Sequence, residues 1–175
     1  MGAKPVTVSG LLIGITATGY RLRVQGKGTM RQSPAALASG MRCHAEADRN
    51  LALDLSTCEY LDSTFQGCLV QLQRAFGSGA GSRFSVTHPS EACLRLLNGA
   101  HIDRLLNIVS ASPAIIGDEL PVPCDAINPD DLSRHIMACH QRLAEAGGPQ
   151  QIAFQKIADQ IAEDLQRKST QARPN

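Results

Sequence analysis

The chain has 175 residues, of which 43% are apolar, 19% charged and 3% aromatic, and its net charge is +1. Such a chain lacks the basic, aromatic-rich surface typical of direct nucleic-acid binding, and its apolar fraction suits a globular domain with a core. The longest apolar run near the N-terminus, Leu11–Ile13, is too short for a membrane span or a signal sequence. We therefore expect a cytoplasmic protein without a membrane span.

Apolar patterns in the first 110 residues predict an α/β domain. Strands are predicted at Leu11–Thr16, Tyr20–Gln25, Leu51–Leu55, Arg83–Thr87 and Asn107–Val109. Helices are predicted from Ser33 as N-cap, from Asp62 with Phe65, Cys68, Leu69, Leu72 and Phe76 on one side, and from Glu91. The near-continuous apolar character of Leu51–Leu55 indicates a strand covered on both faces.

The composition changes after residue 110. The stretch Ser110–Pro129 contains four of the nine prolines, which predicts a linker or an extended strap. Two amphipathic helices follow, the first capped by Asn128 and carrying an apolar stripe at Leu132, Ile136, Cys139 and Leu143. The second has a narrow apolar face at Ile152, Phe154, Ile157, Ile161 and Leu165. Two such helices either pack on the domain or bind a partner.

The six cysteines are scattered without a Cys-x-x-Cys pair, at Cys43, Cys58, Cys68, Cys93, Cys124 and Cys139. Several lie among apolar residues at helical spacing, which predicts free, mostly buried thiols. His135, Cys139 and His140, with Cys124 nearby, could suggest a metal site. Only one pair shares a helix face and zinc needs three or four ligands together, so we expect neither a metal nor a cofactor.

The stretch between the strand Leu51–Leu55 and the following helix brings a serine, Ser63, to a helix N-terminus. Asp62 and Ser63 are residue types favoured as helix caps, which is the simpler interpretation from the residues alone. The same position favours negative charge, so a regulated hydroxyl remains open. Asp54, at the end of the strand, is expected to be a turn or cap residue.

This stretch resembles the signature of the STAS domain, the family of anti-sigma factor antagonists. The residues that carry the resemblance are Leu53-Asp54-Leu55-Ser56 and Tyr60-Leu61-Asp62-Ser63-Thr64-Phe65-Gln66-Gly67-Cys68-Leu69. The order of the surrounding elements fits the family over about residues 10–110, a domain-sized stretch. Phe65 stands where the family usually has glycine.

The resemblance implies a STAS-like mixed β-sheet of four to five strands with helices packed on it, followed by the two C-terminal helices. The implied division is a STAS domain at 1–110, a Pro-rich linker at 111–127 and a helical extension at 128–175. It implies a non-enzymatic switch in which a partner serine kinase, itself the anti-sigma factor, phosphorylates Ser63. The implied partner-binding residues are Asp54, Ser56, Asp62, Ser63, Thr64 and Phe65.

Two other functions remain open. The chain could be a STAS scaffold or adaptor in a larger bacterial signalling or transport complex, with a homodimer formed through the C-terminal helices. It could instead be a small enzyme or ligand-binding protein that uses the serine, which predicts a deep pocket beside Ser63. Nucleophilic catalysis is disfavoured, because Ser63 has no Gly-x-Ser-x-Gly elbow and the nearest histidines, His44 and His88, have no evident orienting partner.

Overall fold

The computed structural model describes residues 8–171, apart from the side chain of Ala80. Within that range the strands are β1 Gly10–Thr16, β2 Gly19–Gly28, β3 Asn50–Asp54, β4 Cys58–Leu61, β5 Phe84–Thr87, β6 Ile108–Val109 and β7 Ile115–Val122. The helices are α1 Ser33–Ala45, α2 Ser63–Phe76, α3 Glu91–Gly99, α4 Pro129–Ala146 and α5 Gln151–Gln171. The predicted α/β class is confirmed, but the sheet has seven strands instead of four to five.

The strands form one mixed sheet in the order β6-β5-β3-β2-β1-β7, with β4 paired to β2. β1 runs antiparallel to β2 and β7, whereas β2, β3, β5 and β6 run parallel. Parallel neighbours need a crossover, which α1 supplies between β2 and β3 and α2 supplies between the β3–β4 segment and β5. Leu22 and Val24, on alternate positions of β2, are fully buried, as the strict alternation of this strand predicts.

The sequence patterns missed two strands. β4 has only four residues, two of them exposed, so its alternation is too short to indicate a strand; it pairs with Gly26–Gly28 of β2. β7 lies inside the stretch predicted to be a linker and pairs antiparallel with β1. It is an edge strand, where Pro121 need not donate a hydrogen bond, and a bulge with Gly117 at φ +80° interrupts its periodicity.

A strap of five residues, 110–114, crosses the sheet and joins β6 at one edge to β7 at the other. It is held by a 2.6 Å hydrogen bond between the hydroxyls of Thr87 and Ser112 and by Arg21, which donates to the Pro113 carbonyl at 3.1 Å. The predicted linker at 111–127 therefore contributes part of the sheet. Two parts of the predicted division lie outside the described residues: residues 1–7 of the segment 1–110 and residues 172–175 of the segment 128–175.

Helices α1 and α2 pack against the sheet, and the predicted apolar stripe of α2 is buried throughout, which confirms its orientation. α4 packs on α2, and α5 packs mainly on α4, so the C-terminal helices dock on the domain. α1 begins at Ser33 with Gln32 in the N-cap position, one residue earlier than predicted. Over residues 8–171, no helix combines the length and apolarity needed to cross a bilayer.

All six cysteines are free, as expected; five are buried and Cys124 is exposed. Burial raises the pKa of the Cys43 thiol to about 11 and that of the Cys139 thiol to about 12. Removing a thiolate from water is unfavourable, so these two thiols stay protonated and behave as small apolar side chains. Cys124 is thus the thiol that solvent reagents reach in the folded chain.

Candidate functional site

The N-terminus of α2 is fixed by Asp62, which occupies its N-cap position. One carboxylate oxygen accepts from the backbone N–H of Phe65 at 2.8 Å, and the other accepts from the backbone N–H of Met30 at 2.7 Å. The N–H of Asp62 donates to the Gly28 carbonyl at 3.0 Å. The predicted capping role is confirmed, and the same carboxylate ties α2 to the loop between β2 and α1.

Ser63 is the first residue of α2 and is half-buried. Its Oγ lies 3.0 Å from Nε2 of His140 on α4, and Nδ1 of His140 lies 2.8 Å from the Ile136 carbonyl oxygen. Because a carbonyl can only accept, Nδ1 carries the proton and Nε2 is the acceptor. In this tautomer of the neutral ring, the Ser63 hydroxyl donates to Nε2 of His140.

A second serine–histidine contact lies beside the first. Ser33, the first residue of α1, is fully buried with its Oγ 2.6 Å from Nε2 of His135 on α4. The Cys139 thiol lies 3.6 Å from the same nitrogen. Desolvation lowers the pKa of His135 below its ordinary value, and the charge of Asp62 opposes this effect more weakly. The first residues of α1 and α2 are thus both bonded to α4.

The structure corrects the surface role predicted for two residues that follow Ser63. Thr64 is 4% exposed and Phe65 is 0% exposed. A Cβ atom at Gly28 would lie 3.2 Å from the Phe65 ring, so this glycine leaves the space that the ring fills. Phe65, the departure from the family pattern, is part of the core, and neither side chain is available to a partner.

Asp54 and Ser56 are not brought to Ser63. Asp54 is buried, accepts from the Ser56 backbone N–H at 2.8 Å, and lies 3.8 Å from Nε of Arg21. Its neighbour in the parallel register is Arg23, and both point away from the face that carries Leu22 and Leu53. Asp54 therefore closes the turn after β3, the alternative left open for it, while Ser56 is exposed on that turn.

The two histidines of α4 were missed because their partners lie far away in the sequence. His135 is 102 residues from Ser33, and His140 is 77 residues from Ser63. The signal in the sequence is the set of polar residues beside the apolar stripe of α4. These are the residues that could also suggest a metal site. Among residues 8–171, no group of three or more His, Cys, Asp or Glu side chains is placed to hold a metal ion.

A serine that donates to a histidine has the geometry of a nucleophile and its general base. Here a backbone carbonyl orients the histidine, and His140 itself is 4% exposed. A cavity of about 510 Å³ lies beside Met30, but its lining includes neither Ser63 nor His140. The Ser63 hydroxyl thus faces His140 on α4.

No protein-family model matches the chain, and a search of curated proteins finds no match.

Proposed function

We propose that this chain is a non-enzymatic STAS-type anti-sigma factor antagonist, a cytoplasmic protein-binding module switched by phosphorylation of Ser63. The modifying enzyme is a partner serine kinase that is also the anti-sigma factor, as the sequence resemblance implies. The observation that carries the proposal is the position of Ser63 at the N-terminus of α2, on the helix face opposite the buried stripe. It is the one serine or threonine of the motif outside both the core and the β3–β4 turn.

The helix N-terminus supports a phosphoryl group there. A phosphoserine carries about −1.5 to −2 charges, and the free N–H groups of a first helical turn favour negative charge. The neighbouring carboxylate of Asp62 is already held by two backbone N–H groups. Phosphorylation would therefore concentrate negative charge at this end of α2.

Such a charge would act on a partner interface by repulsion and desolvation. A penalty of about 2–3 kcal/mol weakens binding about 30- to 150-fold. Exposed residues beside the site give the partner contact area; Met30 is 43% exposed and Tyr60 is 44% exposed. The switch needs no large conformational change in the sheet.

Incubation with a candidate kinase and ATP, followed by mass spectrometry of the peptides, tests the proposal. We expect one phosphoryl group on Ser63. In a pull-down, the wild type and Ser63→Ala should retain the kinase, whereas Ser63→Asp should lose it. The matched control is Ser110→Asp, which adds the same charge at an exposed serine on the strap.

Phosphorylation at another residue, with Ser63 unmodified, would refute the proposal. Equal retention of the kinase by the Ser63→Asp and Ser110→Asp variants would also refute it. A stable adduct between Ser63 and a fluorophosphonate would also contradict it, because that result indicates a nucleophilic serine of a small enzyme.

One observation favours the scaffold alternative. α5 leaves Ile152 71% exposed and Ile157 42% exposed, and exposed apolar side chains on one helix suit a contact with a second copy. Sedimentation equilibrium of the wild type and the Ile152→Ser, Ile157→Ser double variant tests it. A dimer that the double variant abolishes would support the scaffold, and a monomer in both would argue against it.

A further inference from the structure

α2 carries a second stripe, which faces α4. Its members Ser63, Gly67, Val70 and Arg74 are spaced by four, three and four residues, on the side opposite the stripe that packs on the sheet. Ser63 bonds His140, and Arg74 pairs with Glu145 at the far end of α4. The surface that holds Ser63 is therefore already occupied by a segment of the same chain.

The two helices approach each other closely at Gly67. A Cβ atom there would lie 2.4 Å from the carbonyl oxygen of Cys139 and 2.7 Å from its carbonyl carbon. These are backbone atoms, so a rotamer change cannot relieve the overlap. The docked position of α4 thus depends on the missing side chain at Gly67.

The docked helix leaves no room for chemistry at Ser63. Nε2 of His140 occupies the direction in which the hydroxyl points, 3.0 Å from Oγ. A phosphoryl group adds a phosphorus and three oxygens on Oγ, and an enzyme that delivers it must also reach the hydroxyl. Both need the space that His140 fills while α4 is docked.

The connection of α4 to the sheet allows it to leave, although its Cys139, Leu143 and Ala144 are buried in the common core. Two of its contacts with the domain are serine–histidine hydrogen bonds, whose net contribution is small because water replaces them on opening. The six residues 123–128 that join β7 to α4 are all exposed and have no helix or strand. They span up to about 20 Å when extended, so α4 can move without disturbing the sheet.

We propose that α4, together with α5, is a removable cover over Ser63, and that its undocking is the step that exposes this serine to a modifying enzyme and the surrounding surface to a partner. This regulation rests on the proposed function of Ser63. The docked α4 and the partner therefore compete for the same face of α2, the one that carries Ser63. Anything that weakens the α2–α4 contact therefore increases the exposure of Ser63.

The test uses the full chain and no kinase. Ser63→Cys is introduced together with Cys124→Ser, which removes the one exposed native thiol. The rate of alkylation of residue 63 by iodoacetamide is measured by peptide mass spectrometry. The rate is compared between two added substitutions, Gly67→Ala and its matched control Gly99→Ala, where a Cβ atom meets nothing within 4 Å.

We expect residue 63 to react about tenfold faster with Gly67→Ala than with Gly99→Ala, because the added methyl displaces α4. The buried thiols Cys58 and Cys93 report global unfolding in the same digest and should react equally slowly in both. If Gly67→Ala accelerates them too, Phe154→Ala replaces it; this change removes a ring 5.9 Å from that of His140, within the cover itself.

The proposed cover would be overturned if residue 63 is alkylated at equal rates in the Gly67→Ala and Gly99→Ala proteins and Phe154→Ala also has no effect. Alkylation of residue 63 as fast as that of Cys124 in the wild type would also overturn it. Either result leaves the phosphorylation of Ser63 untouched as a proposal. Conversely, a faster rate with no kinase able to modify Ser63 would keep the cover and refute the proposed function.

Discussion

The two faces of α2 form interfaces of different kinds. Toward the sheet, Phe65, Leu69 and Leu72 are each 0% exposed. Toward α4, α2 contributes a hydroxyl, a bare glycine backbone, an arginine and the apolar Val70, while α4 contributes the buried Cys139, Leu143 and Ala144. One helix thus presents large apolar side chains on one side and small or polar groups on the other.

This difference indicates which interface holds the fold. Each apolar side chain buried against the sheet contributes about 1.5–3 kcal/mol, whereas a buried hydrogen bond contributes about 0.5–1.5 kcal/mol net. The sheet interface should therefore persist when the α4 interface opens. The following predictions test this ranking, in order of decreasing effect.

The largest effect is expected for Phe65→Ala, which should lower the free energy of unfolding by about 3–5 kcal/mol. The ring is fully buried above Gly28, and its loss leaves a cavity between α2 and the sheet. Urea denaturation followed by circular dichroism measures the change. Ile152→Ala, at an exposed position, is the control and should stay within about 0.5 kcal/mol of wild type; similar losses in both would contradict the ranking.

Asp62→Ala should cost about 1–2 kcal/mol, because the capping carboxylate accepts two backbone hydrogen bonds. Asp62→Asn should cost less, since its amide oxygen can still accept one of them. The same denaturation experiment measures both. If the two variants lose equal stability, the bonds to Phe65 and Met30 do not act as separate contributions.

The docking of α4 should weaken at acid pH through His135. Its folded pKa lies below the ordinary value of 6.5, so the neutral form is favoured when α4 is docked. The undocked helix binds the proton more readily; docking is therefore fully stable above pH 6.5 and loses stability as the pH falls below it, by at most about 1.4 kcal/mol per pH unit. Asp62 and Cys139 are the titratable groups that face this ring.

Hydrogen exchange of α4 amides at pH 7.5 and 5.5, corrected for the intrinsic rates, measures this effect. His135→Gln should reduce the pH dependence. His44→Gln, on α1 and outside the α4 interface, should retain it. An unchanged pH dependence in His135→Gln would show that another group controls docking.

The smallest effect is expected for Arg74→Ala. Arg74 and Glu145 form an ion pair with both side chains nearly half exposed, so the loss should be below about 0.5 kcal/mol. Arg142, 3.1 Å from the same carboxylate, remains as a second partner. Calorimetry that finds a larger loss than for Asp62→Ala would reverse the ranking.

The sequence predicted the elements whose signal is local. The two-residue alternation of β2 and the helical spacing of the α2 stripe extend over enough residues to be recognised. Asp62 stands directly before the helix that it caps. β4 is too short for a period, and the proline and bulge of β7 hide its alternation. An edge strand is defined by its neighbour, and β1 lies about a hundred residues away in the chain.

Only the α2 side of the candidate site could be predicted from the sequence. The cap and the helix start identify Ser63 from neighbouring residues. Its histidine partner could not be found, because docking of α4 on α2 is decided by tertiary packing at Gly67. The burial of Phe65 was indicated by its place on the apolar stripe of α2, and only the family resemblance assigned this residue to a partner surface.

The position of α4 in the chain affects newly made protein. The sheet is complete once Val122 has emerged, and α4 follows only at residues 129–146. At about 5–20 residues per second, roughly 1–5 s separate the synthesis of the last strand from that of the whole of α4. During that interval every nascent molecule carries Ser63 without its histidine neighbour. An enzyme working beside the ribosome would need no undocking, whereas one that meets the finished protein would have to wait for it.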